Sequence, residues 1–282
     1  MKEEHQLMPE SKLLYFDLQA DFGITKHMGG RRATRELAEL CHIHQDSCVL
    51  DVGCGIGMTS CYLAREYGCR VIAVDLSDRM VMRAADRAKK RGVESRVEFK
   101  VADAQQLPFE APQFDVVLDE SVLAFVADKQ KAISEYVRVT KPEGYIGLNE
   151  VVWVKPPPPD LVKYIGLIMA GADFTTSEGW LALLAASSLE ELQVRGHKFE
   201  ARRQWLDEMQ QLDLRESVRA WYRFVTQIFT NPAYRRFAQE VLHVPRNIFR
   251  FMNYIGYSLY VGRKQLIMSL PVSPCSSNRR AV

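Results

Sequence analysis

Apolar and polar residues form two kinds of segment that alternate between residues 46 and 155. Short apolar runs, such as 48–52 and 71–75, are separated by stretches whose apolar residues recur at helical spacing, such as 79–91. Strands and helices that alternate at such short range predict an α/β fold with a parallel, doubly wound sheet. Further strands of this core are predicted at 97–103, 114–119 and 145–152.

The segments before and after this core have different patterns. Residues 1–45 are predicted to be mostly helical. Four consecutive prolines at 156–159 predict a stiff connector, and two more strands, at 192–199 and 257–261, enclose an aromatic, arginine-rich helical stretch. The pattern divides the chain into four parts, the last of which is predicted to be a flexible tail: 1–45, 46–155, 156–268 and 269–282.

Composition narrows the class of protein. The 282 residues carry 37 Lys plus Arg and 35 Asp plus Glu, a net charge of +2, and this length lies near the limit of about 250–300 residues for one hydrophobic core. Near-neutral charge disfavours nucleic acid as a partner. The first residues lack the apolar stretch of a secretory signal, and no apolar window approaches the roughly 20 residues that a membrane span needs. We expect a cytoplasmic protein without a transmembrane helix.

The cysteines do not follow a metal-binding pattern. Five of the six lie between Cys41 and Cys69, but no two of these have the Cys-x-x-Cys spacing that makes a zinc site convincing. We expect them to be small buried apolar residues, and we predict no metal site.

A glycine-rich loop follows the first predicted strand and precedes a helix. Gly53, Gly55 and Gly57 allow the backbone to approach a ligand closely, and the start of the helix offers unpaired N–H groups to an electronegative group. The dinucleotide fingerprint Gly-x-Gly-x-x-Gly fails here, because Met58 or Ser60 stands where the third glycine is needed. A nucleotide-dependent oxidoreductase is therefore disfavoured, and a different cofactor is indicated.

This loop and the residues at the ends of later strands resemble class I methyltransferases that depend on S-adenosylmethionine (SAM). Within that superfamily the chain is most similar to the small-molecule group called methyltransferase type 11, which includes ubiquinone/menaquinone and sterol methyltransferases. The matching motifs occur in the family's order: 51–57 (DVGCGIG), Asp75, 102–104 (ADA), 119–121 (DES) and 139–144 (VTKPEG).

The resemblance implies a Rossmann-like sheet of seven strands with the last strand antiparallel. It further implies that residues 1–45 form an N-terminal lid, 46–155 the cofactor-binding core, and 156–268 the rest of the sheet with a helical substrate cap between strands six and seven. The cofactor is expected to be SAM and the product S-adenosylhomocysteine. The implied cofactor-binding residues are Tyr15, Gly29, Asp51, Gly53, Cys54, Gly55, Asp75, Leu76, Met80, Asp103, Ala104 and Glu120.

Several of these residues also have a purely structural interpretation. In the family, Asp51 lies near the methionine moiety, Asp75 accepts from both ribose hydroxyls, and Asp103 meets the adenine amino group. Asp51 can instead order the glycine loop, Asp75 can cap a helix, although Ser77 and Asp78 are better placed to do so, and Asp103 can be a turn residue. Met80 fits either a place over adenine or the ordinary core.

Two residues are candidates for catalysis. Methyl transfer from a sulfonium is an in-line displacement in which the protein mainly aligns the acceptor, and a base helps where the acceptor carries a proton. Glu120 follows the fourth predicted strand, where open parallel sheets place their ligands. His27 comes second, in a segment that resembles the lid of small-molecule methyltransferases. Glu120 can instead bind only the cofactor's amino group or a loop N–H, and His27 can be a solvated histidine.

The region from Arg195 to Lys264 has a charge that the whole-chain sum hides. It carries 13 Lys plus Arg and six Asp plus Glu, a net +7 that leaves −5 for the rest of the chain. One interpretation is a helix with a solvated arginine face opposite a core face. The other is a cap with a basic rim that attracts an acidic substrate or a membrane surface. Its aromatic residues would line an apolar acceptor pocket: Trp205, Trp221, Tyr222, Phe224 and Phe229.

The sequence therefore predicts transfer of a methyl group from SAM to a C, N or O atom of a small, hydrophobic molecule. Quinones, sterols, lipids and secondary metabolites fit this description. Peptide and nucleic-acid methylation are disfavoured, because residues 119–121 lack the Asn/Asp-Pro-Pro-Tyr motif. A protein that binds SAM as a sensor or scaffold without turnover is the alternative, and a thiol or metalloid acceptor that uses Cys41 or Cys54 is a remote one.

Overall fold

One seven-stranded sheet forms the centre of the computed structural model, which describes residues 16, 19–20, 27–110, 112–169, 171–198, 214–232, 234–236, 239 and 248–266. The strand order is β3-β2-β1-β4-β5-β7-β6, and β7 runs antiparallel to both of its neighbours. This confirms the predicted sheet. The strands are β1 Cys48–Val52, β2 Arg70–Asp75, β3 Val97–Val101, β4 Phe114–Glu120, β5 Thr140–Trp153, β6 Leu189–Lys198 and β7 Ile255–Lys264.

Helices cover both faces of the sheet, as expected for a doubly wound fold. On one face, side chains of α1 to α3 pack on residues such as Val49, and on the other, side chains of α4 and α6 pack on residues such as Leu50. Adjacent strand residues thus enter opposite cores, which explains why the strands are continuous apolar runs. The helices are α1 Gly30–Leu40, α2 Met58–Glu66, α3 Asp78–Arg91, α4 Lys129–Val139, α5 Pro159–Ile168, α6 Ser177–Ala185 and α7 Leu214–Thr230.

Local sequence sets several of these boundaries. The Ser77 hydroxyl accepts from the N–H of Met80 at 3.3 Å and caps α3, which ends at Gly92 with φ +66°. The fifth strand begins at Thr140, five residues earlier than expected, because Thr140 pairs with Phe114 of β4. The pairing shifts register before it resumes at Tyr145, and between these points Glu143 has a φ of +64°.

Helix α7 differs from one of the two interpretations of the cap. Its aromatic residues do not form a core face, because Trp221, Tyr222 and Phe229 are 60 % to 75 % exposed. The pocket interpretation stays a prediction, because it includes Trp205, which lies outside the described residues. Phe224, which is half-buried, instead contacts the buried ring of Tyr234 at a centroid distance of 6.4 Å. Tyr15, Trp205, the tail 269–282 and most of the proposed lid 1–45 lie outside the described residues.

Candidate functional site

The glycine loop between β1 and α2 needs glycine for two physical reasons. Gly53, Gly55 and Gly57 all have positive φ, between +52° and +73°, a backbone region that side chains disfavour. A Cβ atom at Gly53 would also overlap the side chain of Val122, in the loop after β4. The N–H of Cys54 donates to the carbonyl of Val74 in β2 at 2.9 Å. The loop is thus clamped between the ends of two strands.

Asp75 ends β2 and faces this loop. Its Oδ2 accepts from the N–H of Gly55 at 2.8 Å and its Oδ1 from the N–H of Ser77 at 2.9 Å. Burial raises the pKa of Asp75, and these backbone donors oppose that rise. Each carboxylate oxygen can accept two hydrogen bonds, so the group retains acceptor capacity for a ligand. The neighbouring Leu76 is 46 % exposed. Because Ser77 caps α3, a capping role for Asp75 is excluded.

Of the residues predicted to meet adenine, Asp103 and Ala104 follow β3, whereas Met80 lies in an apolar cluster. Asp103 organises a turn after β3, because its Oδ1 accepts from the N–H of Gln105 at 2.8 Å and the Gln105 amide lies 3.2 Å from both carboxylate oxygens. Ala104 is buried beside it. Met80 is buried in a small apolar cluster with Ile56 of the glycine loop and Ala20 of the N-terminal segment. The turn interpretation of Asp103 therefore has direct structural support.

Asp51 lies beneath the glycine loop and is fully buried. The hydroxyl of Ser60, in α2, donates to Asp51 Oδ2 at 2.5 Å. Burial raises the pKa of Asp51 to about 7; the bond from Ser60 opposes this rise and the nearby charge of Glu120 adds to it. The short bond ties the end of β1 to the first turns of α2, as the loop-ordering interpretation of Asp51 predicts.

Glu120 joins three elements at the end of β4. Its side chain is only 4 % exposed, and it accepts from the hydroxyl of Thr59 in α2 at 2.6 Å. The hydroxyl of Thr34, in α1, lies 3.1 Å from both carboxylate oxygens, and the amide nitrogen of Asn149, in β5, lies 3.3 Å from Oε1. Because all three donors converge on one carboxylate, the helix α1 is fixed against the carboxyl edge of the sheet.

His27 completes a chain of polar groups with Thr34 and Glu120. Its Nε2 lies 3.0 Å from the Thr34 hydroxyl and 3.7 Å from Glu120 Oε1. The single Thr34 proton is directed to the carboxylate, so Nε2 of His27 is assigned as the donor to Thr34. The structure thus brings together both predicted catalytic residues. Thr34 and Thr59 were not predicted, because threonines in amphipathic helices carry no pattern of their own.

The segment 27–30 is attached to the sheet at two further points. The amide of Asn149 donates to the carbonyl of Met28 at 2.9 Å. Gly29 has φ +77°, and a Cβ atom there would overlap the ring of Tyr257 in β7. This contact gives Gly29 a structural reason to be glycine in addition to the predicted cofactor contact. Upstream, the ring of Phe16 packs edge-on against Phe125 at 5.4 Å.

A second pair of carboxyl groups supports the loop after β4. Asp119 and Glu150 are fully buried, and the Tyr136 hydroxyl donates to Asp119 Oδ2 at 2.7 Å. Glu150 Oε1 accepts from the N–H groups of Val122 at 3.1 Å and Leu123 at 2.9 Å. Burial raises the pKa of Asp119 to about 6 and that of Glu150 well above its usual value. The pair holds Val122 against the glycine loop.

Sequence reasoning missed Asn149 and Glu150, although a signal was present. Both are polar residues inside the apolar run of β5, and such residues need partners when they are buried. Ser121 is a further sign of a constrained site. Its φ is +63°, and its N–H donates to the Asn149 carbonyl at 2.7 Å. Backbone strain in a non-glycine residue persists where the surroundings enforce it, often at functional sites.

Five carboxyl groups thus collect where the strands end. Each is buried or half-buried, and they belong to β1, β2, β4 and β5: Asp51, Asp75, Asp119, Glu120 and Glu150. Burial raises the pKa of four of them, so part of this group is protonated near neutrality. The carboxylates that stay ionised hold negative charge in a poorly solvated region, and that charge favours a cationic ligand. It disfavours a pyrophosphate, which would bring further negative charge to the same edge.

The cysteines do not contribute a nucleophile or a metal site in the described part of the chain. The five described cysteines are free thiols, and no group of three potential ligand side chains is close enough to hold a metal ion among these residues. Burial raises the pKa of Cys41 and of Cys54, so both thiols stay protonated near neutrality. This argues against the thiol or metalloid chemistry considered for them.

Comparison with known proteins identifies the domain. Residues 50–148 match the family described as "Methyltransferase domain". This match supports a class I SAM-dependent methyltransferase domain at residues 50–148, and the cofactor of that superfamily is S-adenosylmethionine. None of the described helices is both long and apolar enough to span a bilayer.

Relatives of this domain act on different acceptor atoms. The chain is 35 % identical to norajmaline N-methyltransferase of Rauvolfia serpentina over 43 % of its own length and 45 % of that protein. It is 42 % identical to the chloroplastic tocopherol O-methyltransferase of Arabidopsis thaliana over 35 % of its length and 28 % of that protein. The matched part thus spans about half or less of these relatives.

A solved structure shows the same fold over a longer part of the chain. A SAM-dependent methyltransferase from Geobacter sulfurreducens, in complex with S-adenosylhomocysteine, superposes with a TM-score of 0.65 at 19 % identity. The superposition covers 89 % of this chain and 98 % of that one. It therefore includes elements outside the 50–148 match.

Proposed function

We propose that this protein transfers a methyl group from SAM to a small, hydrophobic molecule. The observation that carries the proposal is the edge of the sheet where the clamped glycine loop meets the five carboxyl groups. SAM is a sulfonium that also carries an ammonium group, so it matches the sign of this edge. When bound, it supplies a methyl group on a sulfur that is an excellent leaving group.

The residues around the loop fit the parts of this cofactor. The remaining acceptor capacity of Asp75 suits two neighbouring ribose hydroxyls, and the exposed Leu76 beside it offers an apolar surface for adenine. The backbone at Gly53 and Gly55 would approach the methionine portion, with the buried carboxyl groups nearby. Met80, Asp103 and Ala104 border the adenine side in this proposal, and Gly29 belongs to the covering segment; the cofactor contact of Tyr15 stays a prediction from the resemblance.

We assign removal of the acceptor's proton to the hydrogen-bonded side chains of His27, Thr34 and Glu120. In this proposal the imidazole of His27 accepts the proton from the substrate, while its Nε2 donates to the Thr34 hydroxyl. The imidazolium that results is stabilised through Thr34 by the carboxylate of Glu120, 3.7 Å from Nε2. Glu120 thus acts as a positioning residue rather than the base itself, because Thr59 and Asn149 already donate to it.

An apolar surface lies beside the polar groups of His27, Thr34 and Glu120, and it supports a hydrophobic acceptor. Met28, Phe125 and Trp153 are partly buried and pack on a cluster that includes Phe251, beyond the ends of β4 and β5. Phe16 contacts Phe125 from the N-terminal side. A flat or aliphatic molecule between these side chains would present one atom toward the cofactor while the rest leaves water, which favours binding.

Two measurements test the proposal. Isothermal titration calorimetry should detect binding of SAM but not of NAD, and incubation of the protein with methyl-labelled SAM and fractionated cell extract should label a small molecule. If NAD binds and SAM does not, the cofactor assignment is overturned. Tight SAM binding with no labelled product in any extract would favour the alternative, a SAM-binding sensor or scaffold.

A further inference from the structure

Helix α7 presents an apolar surface to solvent. Four of its side chains, which we call the exposed stripe, are between 40 % and 75 % exposed: Val218, Tyr222, Val225 and Phe229. Their spacing of four, three and four residues places them along one side of the 17-residue helix. Large apolar side chains that recur on one exposed side of a helix mark an interaction surface more often than scattered single ones do.

Basic residues accompany the exposed stripe in the sequence. Arg215, Arg219 and Arg223 occur every four residues, so these positions follow a line along α7. At 100° per residue, this line runs beside the one that carries the stripe. An apolar side flanked by cationic positions is the pattern of helices that lie in the plane of a membrane interface.

The distribution of charge along the chain also favours contact between α7 and a lipid surface. The region Arg195 to Lys264, which contains α7, carries a net +7, whereas the remainder of the chain carries −5. An anionic lipid surface attracts the segment that contains α7 and repels the remainder, so this distribution of charge along the sequence favours α7 as the part that docks. A second copy of the chain would instead bring two regions of +7 together.

We propose that α7 docks this protein onto an anionic lipid surface, with the exposed stripe inserted among the headgroups. The inference is independent of methyl transfer, because it rests on the stripe and the charge distribution alone. Binding of this kind is peripheral and reversible, and it would bring the enzyme to acceptors that partition into lipid.

Cosedimentation of the full-length protein with lipid vesicles tests this proposal. We expect the protein to pellet with vesicles of equal parts phosphatidylcholine and phosphatidylglycerol and to bind pure phosphatidylcholine about tenfold more weakly. Raising the salt concentration should release it. The double variant Tyr222→Ser/Phe229→Ser should lose at least about tenfold in vesicle affinity.

The matched control is Met82→Ser, which removes a 60 % exposed apolar side chain from α3. It should leave vesicle binding unchanged, and both variants should keep the SAM affinity of the natural chain, which separates this test from that of methyl transfer. Equal pelleting of the double variant and the natural chain would overturn the proposal. So would failure to bind anionic vesicles, or light scattering that shows a dimer lost in the double variant without any vesicle binding.

Discussion

The carboxyl edge of the sheet and helix α7 differ in burial and in the sign of their charged residues. The edge is buried, acidic and fixed by short hydrogen bonds such as that between Ser60 and Asp51, whereas α7 is basic in sequence and exposes large apolar residues such as Phe229. The first region has little freedom to vary, because a backbone loop and several carboxyl groups must fit together. The second needs only an apolar side and positive charge, which many sequences provide.

The largest effect is expected at Gly53. Substitution Gly53→Ala forces a side chain into a positive φ and against Val122, so we expect SAM binding to be lost and the free energy of unfolding to fall by about 2–4 kcal/mol. Calorimetry and chemical denaturation measure the two effects. Gly171→Ala is the control, because Gly171 has φ +76° but nothing within 4 Å of a Cβ atom. It should cost only about 1 kcal/mol and spare binding; equal effects would mean that Val122 is irrelevant.

The next largest effect is expected in the pH dependence of stability, and it comes from the buried pair Asp119 and Glu150. Their folded pKa values lie above the unfolded ones, with Asp119 at about 6, so their contribution to stability is full in acid and is lost as pH rises through the folded pKa. We expect the natural chain to lose about 2 kcal/mol of unfolding free energy between pH 4 and pH 7 from this pair. Glu150→Gln should flatten that fall in denaturation curves.

The exposed Glu94→Gln is the control for the pH experiment. It should leave the slope of stability against pH unchanged. A Glu150→Gln variant with the slope of the natural chain would show that the pair carries no excess proton in the folded state. The same variant should keep the hydrogen-bond acceptor toward Val122 and Leu123, so loss of folding is not expected.

A smaller effect is expected from breaking the link between His27 and Glu120. Thr34→Val preserves shape and removes the hydroxyl between them, so kcat for methyl transfer should fall about tenfold while SAM affinity stays near that of the natural chain. Thr226→Val, on α7, is the matched threonine control. If Thr34→Val changes the cofactor affinity and leaves kcat intact, Thr34 is part of cofactor binding and not of proton transfer.

The smallest effect on stability is expected in the exposed stripe. Tyr222→Ser should change the free energy of unfolding by less than about 0.5 kcal/mol, because an exposed side chain loses little on truncation. Leu50→Ala, in the centre of β1, should cost about 3 kcal/mol by comparison. A large loss from Tyr222→Ser, measured by chemical denaturation, would mean that the stripe packs within the folded chain, and it would weaken the lipid-docking proposal.

The sequence predicted much of the first region and little of the second, for physical reasons. Apolar runs and the glycine motif identified β1 to β4 and the loop, because strands buried on both faces and close backbone approach restrict residue choice directly. The three hydrogen bonds to Glu120 could not be predicted, because the donors Thr34, Thr59 and Asn149 lie far apart in the chain and meet only in the fold. The exposure of α7 was misjudged, since helical periodicity marks an apolar side without saying what covers it.

The most direct test is calorimetric titration of SAM into the Asp75→Ala variant beside the Asp86→Ala control. Asp75 accepts from the glycine loop and retains acceptor capacity for a ribose, whereas Asp86 is an exposed carboxylate on α3. We predict that Asp75→Ala weakens SAM binding by at least about a hundredfold, as expected for the loss of two hydrogen bonds to a charged group, and that Asp86→Ala binds like the natural chain. Equal affinity for SAM in both variants would contradict the assignment of this edge as the cofactor site.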